Sequence, residues 1–462
     1  MRCLQRHAQA HREAEGSCSQ GAPKGPSQAP PLLRVLVLLQ ILLAGQALGA
    51  SEAPLLFSQD KGFNLNDSRG PTRSQERRLK VYLAAFGSGM GHASRMAALA
   101  DELRAEGDEV TFSSSGEVTR WLKAKGYRCN DVPLVDVAFN DSGAFSATET
   151  LKELPVLMGR MCSQVQREVG NLGRFAPQVV LSDSMASTVV ASKLMGVRSV
   201  AILNQLRLIS SPRTPKTIGQ ILAGGSITLV NGLWELCDEI LVPDLPPPYT
   251  ISERNLWNAG SASSRARYIG FLTPKGDTGA PGDELLDLWR AEKRKRKVFW
   301  QVSGPPPTRG PFLAKALEAA KALEHDYLFV ITAGNPGGET SPTRVPGGYL
   351  YQWCNISRAF IDSCDAVVSR AGHVSISDYI LRAKPCLLVP IQSQTEQIGN
   401  ANKAEKLGFA IVADEVELDP TRVGDLLREL SEERYGTRAQ EMKRTADGYD
   451  ALRAILSALR KA

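Results

Sequence analysis

One segment, residues 365–402, constrains the fold of this chain more than any other, because short apolar runs alternate there with a glycine turn and a polar loop. Such runs, bounded by turn signals, are typical of strands buried in a parallel sheet. The segment predicts, in order, a strand at Ala366–Ser369, a turn at Arg370–His373, a helix at Val374–Leu381, a strand at Leu387–Pro390, a polar loop at Gln392–Gln397 and a helix from Asn400. This is a βαβ unit whose polar residues follow the carboxyl ends of its strands, where open α/β sheets bind ligands.

The polar residues of this segment suit two kinds of ligand group. Glycine lets backbone N–H groups approach an anion, and the helix start after Gly372 adds a partial positive charge, so a phosphate fits the turn. The carboxylates of Asp378 and Glu396 suit hydroxyl donors instead, such as a ribose or a sugar. Together these residues predict a pocket for a nucleotide sugar. The alternative interpretation is an ordinary βαβ unit with solvated polar loops.

The spacing of the segment resembles the donor-binding part of GT-B glycosyltransferases of the family 28 and UDP-glycosyltransferase type, which include the peptidoglycan N-acetylglucosaminyltransferases. The shared landmarks are Gly372, Asp378, Pro385, Pro390, Glu396-Gln397 and Asn400-Ala401. The resemblance implies that Asp378 holds the ribose hydroxyls, and that Glu396 and Gln397 recognise the donor sugar. The family usually carries Glu at the position of Asp378, whose side chain is one methylene shorter.

A second glycine turn, Gly87 to His92, follows an apolar strand pattern at 80–86 and precedes a helix predicted from Ala93 to about Glu106. Its spacing is G-x-G-x-G, unlike the G-x-G-x-x-G of dinucleotide-binding folds, and the next strand has no acid placed for a ribose. The turn resembles the first glycine loop of the family, which also ends in Gly-His. The residues that this resemblance assigns to the acceptor side are Gly87, Gly89, Gly91 and Asn204.

His92 is the candidate catalytic base, because a neutral imidazole can take a proton from a hydroxyl at neutral pH. Asp183 ends a strand predicted at 177–183 and would lie at the same edge of the sheet. Its carboxylate could orient the imidazole and stabilise the protonated ring. Two alternatives stay open: His92 orders its loop or contacts the acceptor, and Asp183 caps the helix predicted at Met185–Met195.

The resemblance places the donor diphosphate at a third turn, Ser303-Gly304, ahead of a helix predicted at Phe312–Leu323. The prolines at 305–307 are a departure from the family, because they remove three backbone donors. We expect no metal, since no D-x-D pair ends a predicted strand; backbone N–H groups, a helix start and a cation such as Arg370 would neutralise the leaving group. The predicted donor-site residues are Ser303, Gly304, Arg370, Gly372, His373, Asp378, Glu396 and Gln397.

The length of 462 residues predicts two core domains with extensions. The expected fold class is α/β with GT-B architecture, in which two Rossmann-like domains face each other across a cleft. The predicted divisions are a disordered leader at 1–31, a signal peptide or signal anchor at 32–50, a linker at 51–78, an acceptor-side domain at 79–242, an interdomain linker at 243–297, a nucleotide-sugar-binding domain at 298–435, and a C-terminal helix at 436–462 that packs back on the first domain.

Residues 35–48 form an apolar run of signal-peptide length, shorter than the ~20 residues that span a bilayer. A cleaved signal peptide, a signal anchor and the first part of a bipartite plastid address remain open, so we expect a secretory or membrane-associated protein, with the plastid as the alternative. The net charge of +6 is mild, which gives no reason to expect nucleic acid and is compatible with anionic membrane surfaces. The eight cysteines lack metal-ligand spacing.

The resemblance implies a metal-independent hexosyltransferase with no cofactor beyond its nucleotide-sugar co-substrate. It would move a sugar, with inversion, from a nucleotide diphosphate such as a UDP-sugar to an acceptor hydroxyl. A lipid is the leading acceptor, given the targeting segment and the lipid-directed relatives. The alternatives are a nucleotide-sugar epimerase of the same fold and a non-catalytic UDP-sugar-binding subunit.

Overall fold

The computed structural model describes residues 78–87, 90–135, 154–206, 232–256, 265–273, 284–392 and 394–461. The predicted leader, the apolar run at 35–48, residues 51–77 and Gly89 of the first glycine turn lie outside this part of the chain. None of the helices in the described ranges has both the length and the apolar character needed to span a bilayer.

The first domain is built on a sheet of seven parallel strands in the order β3-β2-β1-β4-β5-β6-β7. The strands are β1 (Lys80–Ala85), β2 (Glu109–Ser114), β3 (Cys129–Asp131), β4 (Val179–Asp183), β5 (Arg198–Ile202), β6 (Glu239–Val242) and β7 (Ala266–Tyr268). In the centre of the sheet, Val81 pairs with Val110 on one side and with Val179 on the other. Residues 81–85 are fully buried because helices cover both faces, which explains why β1 reads as a continuous apolar run.

The second domain has a seven-stranded sheet in the order β10-β11-β9-β8-β12-β13-β14. Its strands are β8 (Arg296–Gln301), β9 (Tyr327–Thr332), β10 (Thr343–Val345), β11 (Gly348–Tyr351), β12 (Ala366–Ser369), β13 (Cys386–Leu388) and β14 (Ala410–Val412). All pairs are parallel except the hairpin of β10 and β11. The two sheets confirm the predicted α/β class with two Rossmann-like domains.

Helices cover both faces of each sheet. They are α1 (Met90–Ala105), α2 (Gly116–Ala124), α3 (Leu154–Phe175), α4 (Ala186–Met195), α5 (Glu253–Leu256), α6 (Glu284–Ala291), α7 (Pro306–Ala322), α8 (Ser357–Ser363), α9 (His373–Leu381), α10 (Thr395–Leu407), α11 (Pro420–Leu430), α12 (Glu433–Ala446) and α13 (Ala451–Leu459). In β8, Phe299 packs towards Phe360 of α8, whereas Trp300 packs towards Phe312 of α7 on the opposite face. Successive strand residues point to opposite faces, so each strand serves two cores.

Two helices near the cleft begin earlier than the sequence predicted. Helix α7 begins at Pro306 rather than at Phe312, because proline is tolerated at the first helical positions, where a backbone N–H has no partner inside the helix. Helix α10 begins at Thr395 rather than at Asn400, and it therefore includes Thr395, Glu396 and Gln397, which were predicted to form the end of the preceding loop.

The C-terminal segment is two helices rather than the single helix predicted at 436–462. Helix α12 ends at Ala446, and the Asp450 side chain accepts a hydrogen bond from Arg453 N at 2.9 Å to cap α13. Helix α12 contributes Met442 to the core of the second domain, while α13 contributes Ile455 to the core of the first. The chain thus crosses back between the domains at residues 447–450.

The segment predicted as the interdomain linker, 243–297, contains elements of both domains. Strand β7 joins the edge of the first sheet beside β6. Helix α6 belongs to the second domain, where Trp289 packs edge-to-face against Phe360 at a centroid distance of 5.5 Å. Neither short element has a core of its own, so each is stabilised by the domain that it joins.

We predict that Gly347→Ala destabilises the second domain far more than Gly337→Ala. Both glycines have positive φ, +78° and +80°, so an alanine costs about 1–2 kcal/mol at either position for backbone strain alone. A Cβ at Gly347 would lie 1.9 Å from the carbonyl oxygen of Ala320 in α7, whereas one at Gly337 would meet no described heavy atom within 4 Å. Urea denaturation should give an extra loss of about 1–3 kcal/mol for Gly347→Ala; equal losses would contradict this packing.

Candidate active site

A cleft of about 1270 Å³ lies between the two domains and is lined by residues of both. The predicted site residues that line it are Gly91, His92, Asn204, Ser303, Gly304, Gly372, His373, Asp378, Glu396 and Gln397. Gly87, Asp183 and Arg370 are buried behind its walls. The cleft runs along the carboxyl ends of the parallel strands, because the chain leaves each strand at that edge of the sheet.

His92, in the first turn of α1, is paired with Asp183 at the end of β4. The His92 Nδ1 atom lies 2.8 Å from Asp183 Oδ1, and the carboxylate is fully buried. A proton on Nδ1 would be held by the carboxylate, which leaves the lone pair on Nε2 to accept a proton. The alternative that Asp183 caps the next helix is wrong, because Met185 occupies the capping position of α4.

Arg95, which the sequence analysis missed, completes this cluster from the next turn of α1. Its Nε donates to Asp183 Oδ2 at 2.5 Å, one terminal nitrogen donates to Oδ1, and the same nitrogen lies 3.0 Å from His92 Nδ1. Burial alone would raise the pKa of Asp183, but the Arg95 guanidinium and then His92 hold that pKa well below its usual range. The signal was the i, i+3 spacing of His92 and Arg95, which places both on one face of a helix.

The glycine turn after β12 places the start of α9 at the cleft. Gly372 caps the helix with extended backbone, φ −68° and ψ 138°, and His373 is its first residue. The His373 Nε2 atom lies 3.0 Å from Oδ2 of Asp244, which is fully buried in the segment after β6. That carboxylate also accepts hydrogen bonds from the backbone of Leu245 and Ser252. His373 therefore fixes the start of α9 against the segment that joins the domains.

Asp378, the predicted ribose ligand, lies on α9 and already binds two arginines. Arg358 Nε donates to Oδ2 at 3.2 Å, and a terminal nitrogen of Arg382 donates to Oδ1 at 2.6 Å. Burial raises the pKa of Asp378, and the two guanidinium groups oppose that effect. Arg358 also lines the cleft, so a ribose that binds Asp378 would share the carboxylate with Arg358.

Glu396 and Gln397 begin α10 at the junction of the two domains. Asn204 of the first domain donates from Nδ2 to Glu396 Oε1 at 3.4 Å, so a predicted acceptor-side residue and a predicted donor-side residue meet across the cleft. Gln397 Oε1 accepts a hydrogen bond from Ile391 N at 3.0 Å. This contact fixes the side-chain amide, whose N–H₂ group is the part left to recognise a ligand.

The predicted role of Arg370 as the cation at the leaving group is wrong, because its side chain is 1% exposed and does not line the cleft. Its guanidinium pairs with Glu415 at 2.9 Å and lies over the ring of Phe312, 4.1 Å from the centroid. It also donates to the carbonyl oxygens of Val389 and Thr308. Arg370 therefore fastens the first turn of α7 to the end of β13.

Gly87 also lies outside the cleft, but the first glycine loop depends on it. A Cβ at this position would lie 1.9 Å from Ser115 Oγ, so the loops after β1 and β2 approach too closely for any side chain.

In the described ranges, no three His, Cys, Asp or Glu residues are grouped so that they could hold a metal ion.

Comparisons with known proteins show similarity to glycosyltransferases. Residues 315–454 match the model of the glycosyltransferase family 28 C-terminal domain. A Methanosarcina mazei protein described as an uncharacterized glycosyltransferase is 24% identical over 389 residues, which cover 83% of this chain and 98% of that protein. The UDP-N-acetylglucosamine–N-acetylmuramyl-(pentapeptide) pyrophosphoryl-undecaprenol N-acetylglucosamine transferase of Clostridium tetani is 41% identical over 78 residues, 16% of this chain and 22% of that enzyme.

A solved structure shares the fold over most of the chain. The spinosyn rhamnosyltransferase SpnG, complexed with thymidine diphosphate, aligns with a TM-score of 0.60 at 16% identity and covers 83% of this chain and 100% of its own. Such a likeness shows that the two domains adopt the GT-B fold.

We predict that Arg95→Met costs about 3–5 kcal/mol of the free energy of unfolding, because it removes the guanidinium that neutralises a fully buried carboxylate. The double variant Arg95→Met/Asp183→Leu removes both charges and should be more stable than Arg95→Met. Urea denaturation at neutral pH of the wild type, both single variants and the double variant measures the coupling between the two residues. Additive losses would show that this ion pair does not determine the stability of the cluster.

Proposed function

We propose that this chain, which has the GT-B fold, is a family 28-like glycosyltransferase that transfers a sugar from a UDP-sugar to an acceptor hydroxyl. One observation carries the proposal: the cleft brings the His92–Asp183 pair of the first domain opposite the donor-type residues Gly372, Asp378 and Glu396 of the second. A transferase of this kind needs a proton acceptor and a nucleotide-sugar site on facing walls.

The donor occupies the second domain. Its diphosphate lies at the glycine turns Ser303-Gly304 and Gly372, and its ribose reaches Asp378. Glu396 and Gln397 contact the sugar, close to the first domain. The Clostridium tetani relative, whose name specifies UDP-N-acetylglucosamine, supports a UDP-sugar donor.

The acceptor hydroxyl attacks the anomeric carbon of the donor, the bond from that carbon to the diphosphate breaks, and UDP leaves with the electron pair. His92 takes the proton from the acceptor, and Asp183 stabilises the imidazolium that forms. Attack from the face opposite the leaving group inverts the anomeric carbon. Protein groups neutralise the charge on UDP, so the reaction requires no divalent metal.

The acceptor binds along the first domain, where the cleft extends between α1 and α2. Met90, Ala97, Ala98 and Trp121 contribute apolar surface to this part of the wall, which also includes the charged residues Asp101, Glu117 and Lys125. The apolar side chains suit an acceptor with a hydrocarbon portion, so a lipid remains the proposed acceptor. The apolar run at 35–48 supports a protein associated with a membrane, in the secretory pathway or in a plastid.

The proposal is tested by thermal shift with UDP, other nucleoside diphosphates and a panel of UDP-sugars, followed by product analysis with lipid extracts. We expect UDP-sugars to stabilise the protein, and Asp378→Asn to weaken UDP binding roughly tenfold or more, because a hydrogen bond to a charged group is lost. Asp362→Asn is the matched control, since Asp362 pairs with the same Arg382 at 2.9 Å but does not line the cleft.

Three outcomes of this panel would contradict sugar transfer. If the protein binds no nucleoside diphosphate, the proposed donor site is wrong. Conversion of one UDP-sugar into another without an acceptor would identify an epimerase. Binding of UDP-sugars without turnover on any acceptor would identify a binding subunit.

We predict that His92→Ala lowers turnover by about 10²–10⁴-fold, the usual contribution of a positioned base, and changes UDP affinity little. The exposed His325, which lies between α7 and β9, gives the matched control His325→Ala. Steady-state kinetics and UDP titrations measure both effects. The double variant His92→Ala/Asp183→Asn should be hardly slower than His92→Ala, because the two residues act as a unit. Near-full turnover of His92→Ala would exclude it as the base.

A further inference from the structure

The first turn of α7 offers few backbone donors to the leaving diphosphate. The first N–H groups of a helix have no partner within it, and they can therefore bind such an anion. In α7 the capping residue is Pro305 and the next two residues are Pro306 and Pro307, none of which carries an N–H. The N–H of Thr308 donates to Pro305 O at 3.0 Å. Positive charge at this turn must therefore come from side chains.

Four arginine or lysine side chains line the cleft in the described part of the chain: Arg95, Lys125, Arg309 and Arg358. Arg95 pairs with Asp183, and Arg358 pairs with Asp378. Lys125 lies at the end of α2 in the first domain, 5.8 Å from the centroid of the Trp121 ring. Arg95 and Arg358 are therefore already ion-paired with carboxylates, and Lys125 lies on the proposed acceptor side of the cleft.

Arg309 differs from the others because it forms no ion pair with any described residue and lies beside the Ser303-Gly304 turn. Its Nε donates to Gly304 O at 2.7 Å, which fixes the plane of the guanidinium against the turn. With Nε used in this way, the two terminal nitrogens remain to form paired hydrogen bonds to a phosphate, the geometry that arginine provides and lysine does not.

The turn that carries Arg309 is held in one position. Gly304 has φ +104°, and a Cβ there would lie 2.9 Å from Ile391 Cδ1 and 3.0 Å from Thr308 Oγ1. Thr308 Oγ1 donates to Pro305 O at 2.8 Å, and the buried Arg370 donates to Thr308 O at 3.1 Å. Arg370 thus helps to place the turn, although it does not reach the cleft itself.

We propose that Arg309 binds the diphosphate of the donor and stabilises the UDP that leaves. The proposal rests on the proposed function, since it requires a nucleoside diphosphate sugar in this cleft. As the bond between the anomeric carbon and the diphosphate breaks, its electron pair passes to a phosphate oxygen, while the proton of the acceptor passes to His92. The terminal nitrogens of Arg309 donate to the phosphate oxygens and offset the added negative charge.

The test compares the affinities of UDP and uridine, by calorimetry, in the wild type, Arg309→Gln, Arg309→Lys and Lys321→Gln. Lys321 is the matched control, because it lies exposed at the other end of α7 and its substitution changes the net charge equally. We expect Arg309→Gln to weaken UDP binding roughly tenfold or more and to leave uridine binding unchanged. Arg309→Lys should be intermediate, since it keeps the charge and loses the paired geometry, and Lys321→Gln should match the wild type.

These outcomes distinguish a diphosphate-binding role of Arg309 from a structural role. Unchanged UDP affinity in Arg309→Gln, or an equal loss of UDP and uridine, would overturn the proposal. If Arg309→Gln fails to fold, the Arg309→Lys variant decides. UDP affinity and turnover equal to those of the wild type would overturn the proposal, and an intermediate UDP affinity would support it. If the wild type binds neither UDP nor uridine, the proposed donor is wrong. This result distinguishes failure of the proposed function from failure of the role proposed for Arg309.

Discussion

All strands of a parallel sheet end at the same edge, and this constraint places every candidate residue of the site. His92, Asp183, Ser303, Gly372 and Glu396 are distant in sequence, yet each lies at or after the carboxyl end of a strand. When two such sheets face each other, their loops form the walls of one cleft. The chemistry of the cleft therefore depends on the residues that follow the strands, while the strands themselves supply the buried cores.

The relative position of the two sheets is fixed by contacts at the base of the cleft. His373 at the start of α9 is bound to the buried Asp244, and Lys403 of α10 pairs with Glu253 of α5 at 2.7 Å. The chain crosses back between α12 and α13, where a Cβ at Gly270 would lie only 2.3 Å from Cβ of Tyr449. These contacts fix the wall of the second domain relative to the wall of the first.

The fold was largely predictable from the sequence, because apolar runs and glycine turns are local patterns that report burial and strand ends. The boundaries of helices next to the cleft were less predictable. The start of α7 at Pro306 and the start of α10 at Thr395 depend on what the first turn of each helix contacts. The break between α12 and α13 arises because the two helices join different domains, which no local pattern shows.

The sequence by itself determined the two-domain α/β fold, and it predicted a donor segment and a candidate base, since each depends on residues that are close in the chain. Only the tertiary structure decided the roles of the arginines. Arg95 meets Asp183, 88 residues away, and Arg370 is neutralised by Glu415, while Arg309 lies beside the Ser303-Gly304 turn. Nearby sequence cannot distinguish these three guanidinium groups, because the function of a cation depends on whether folding brings a carboxylate to it.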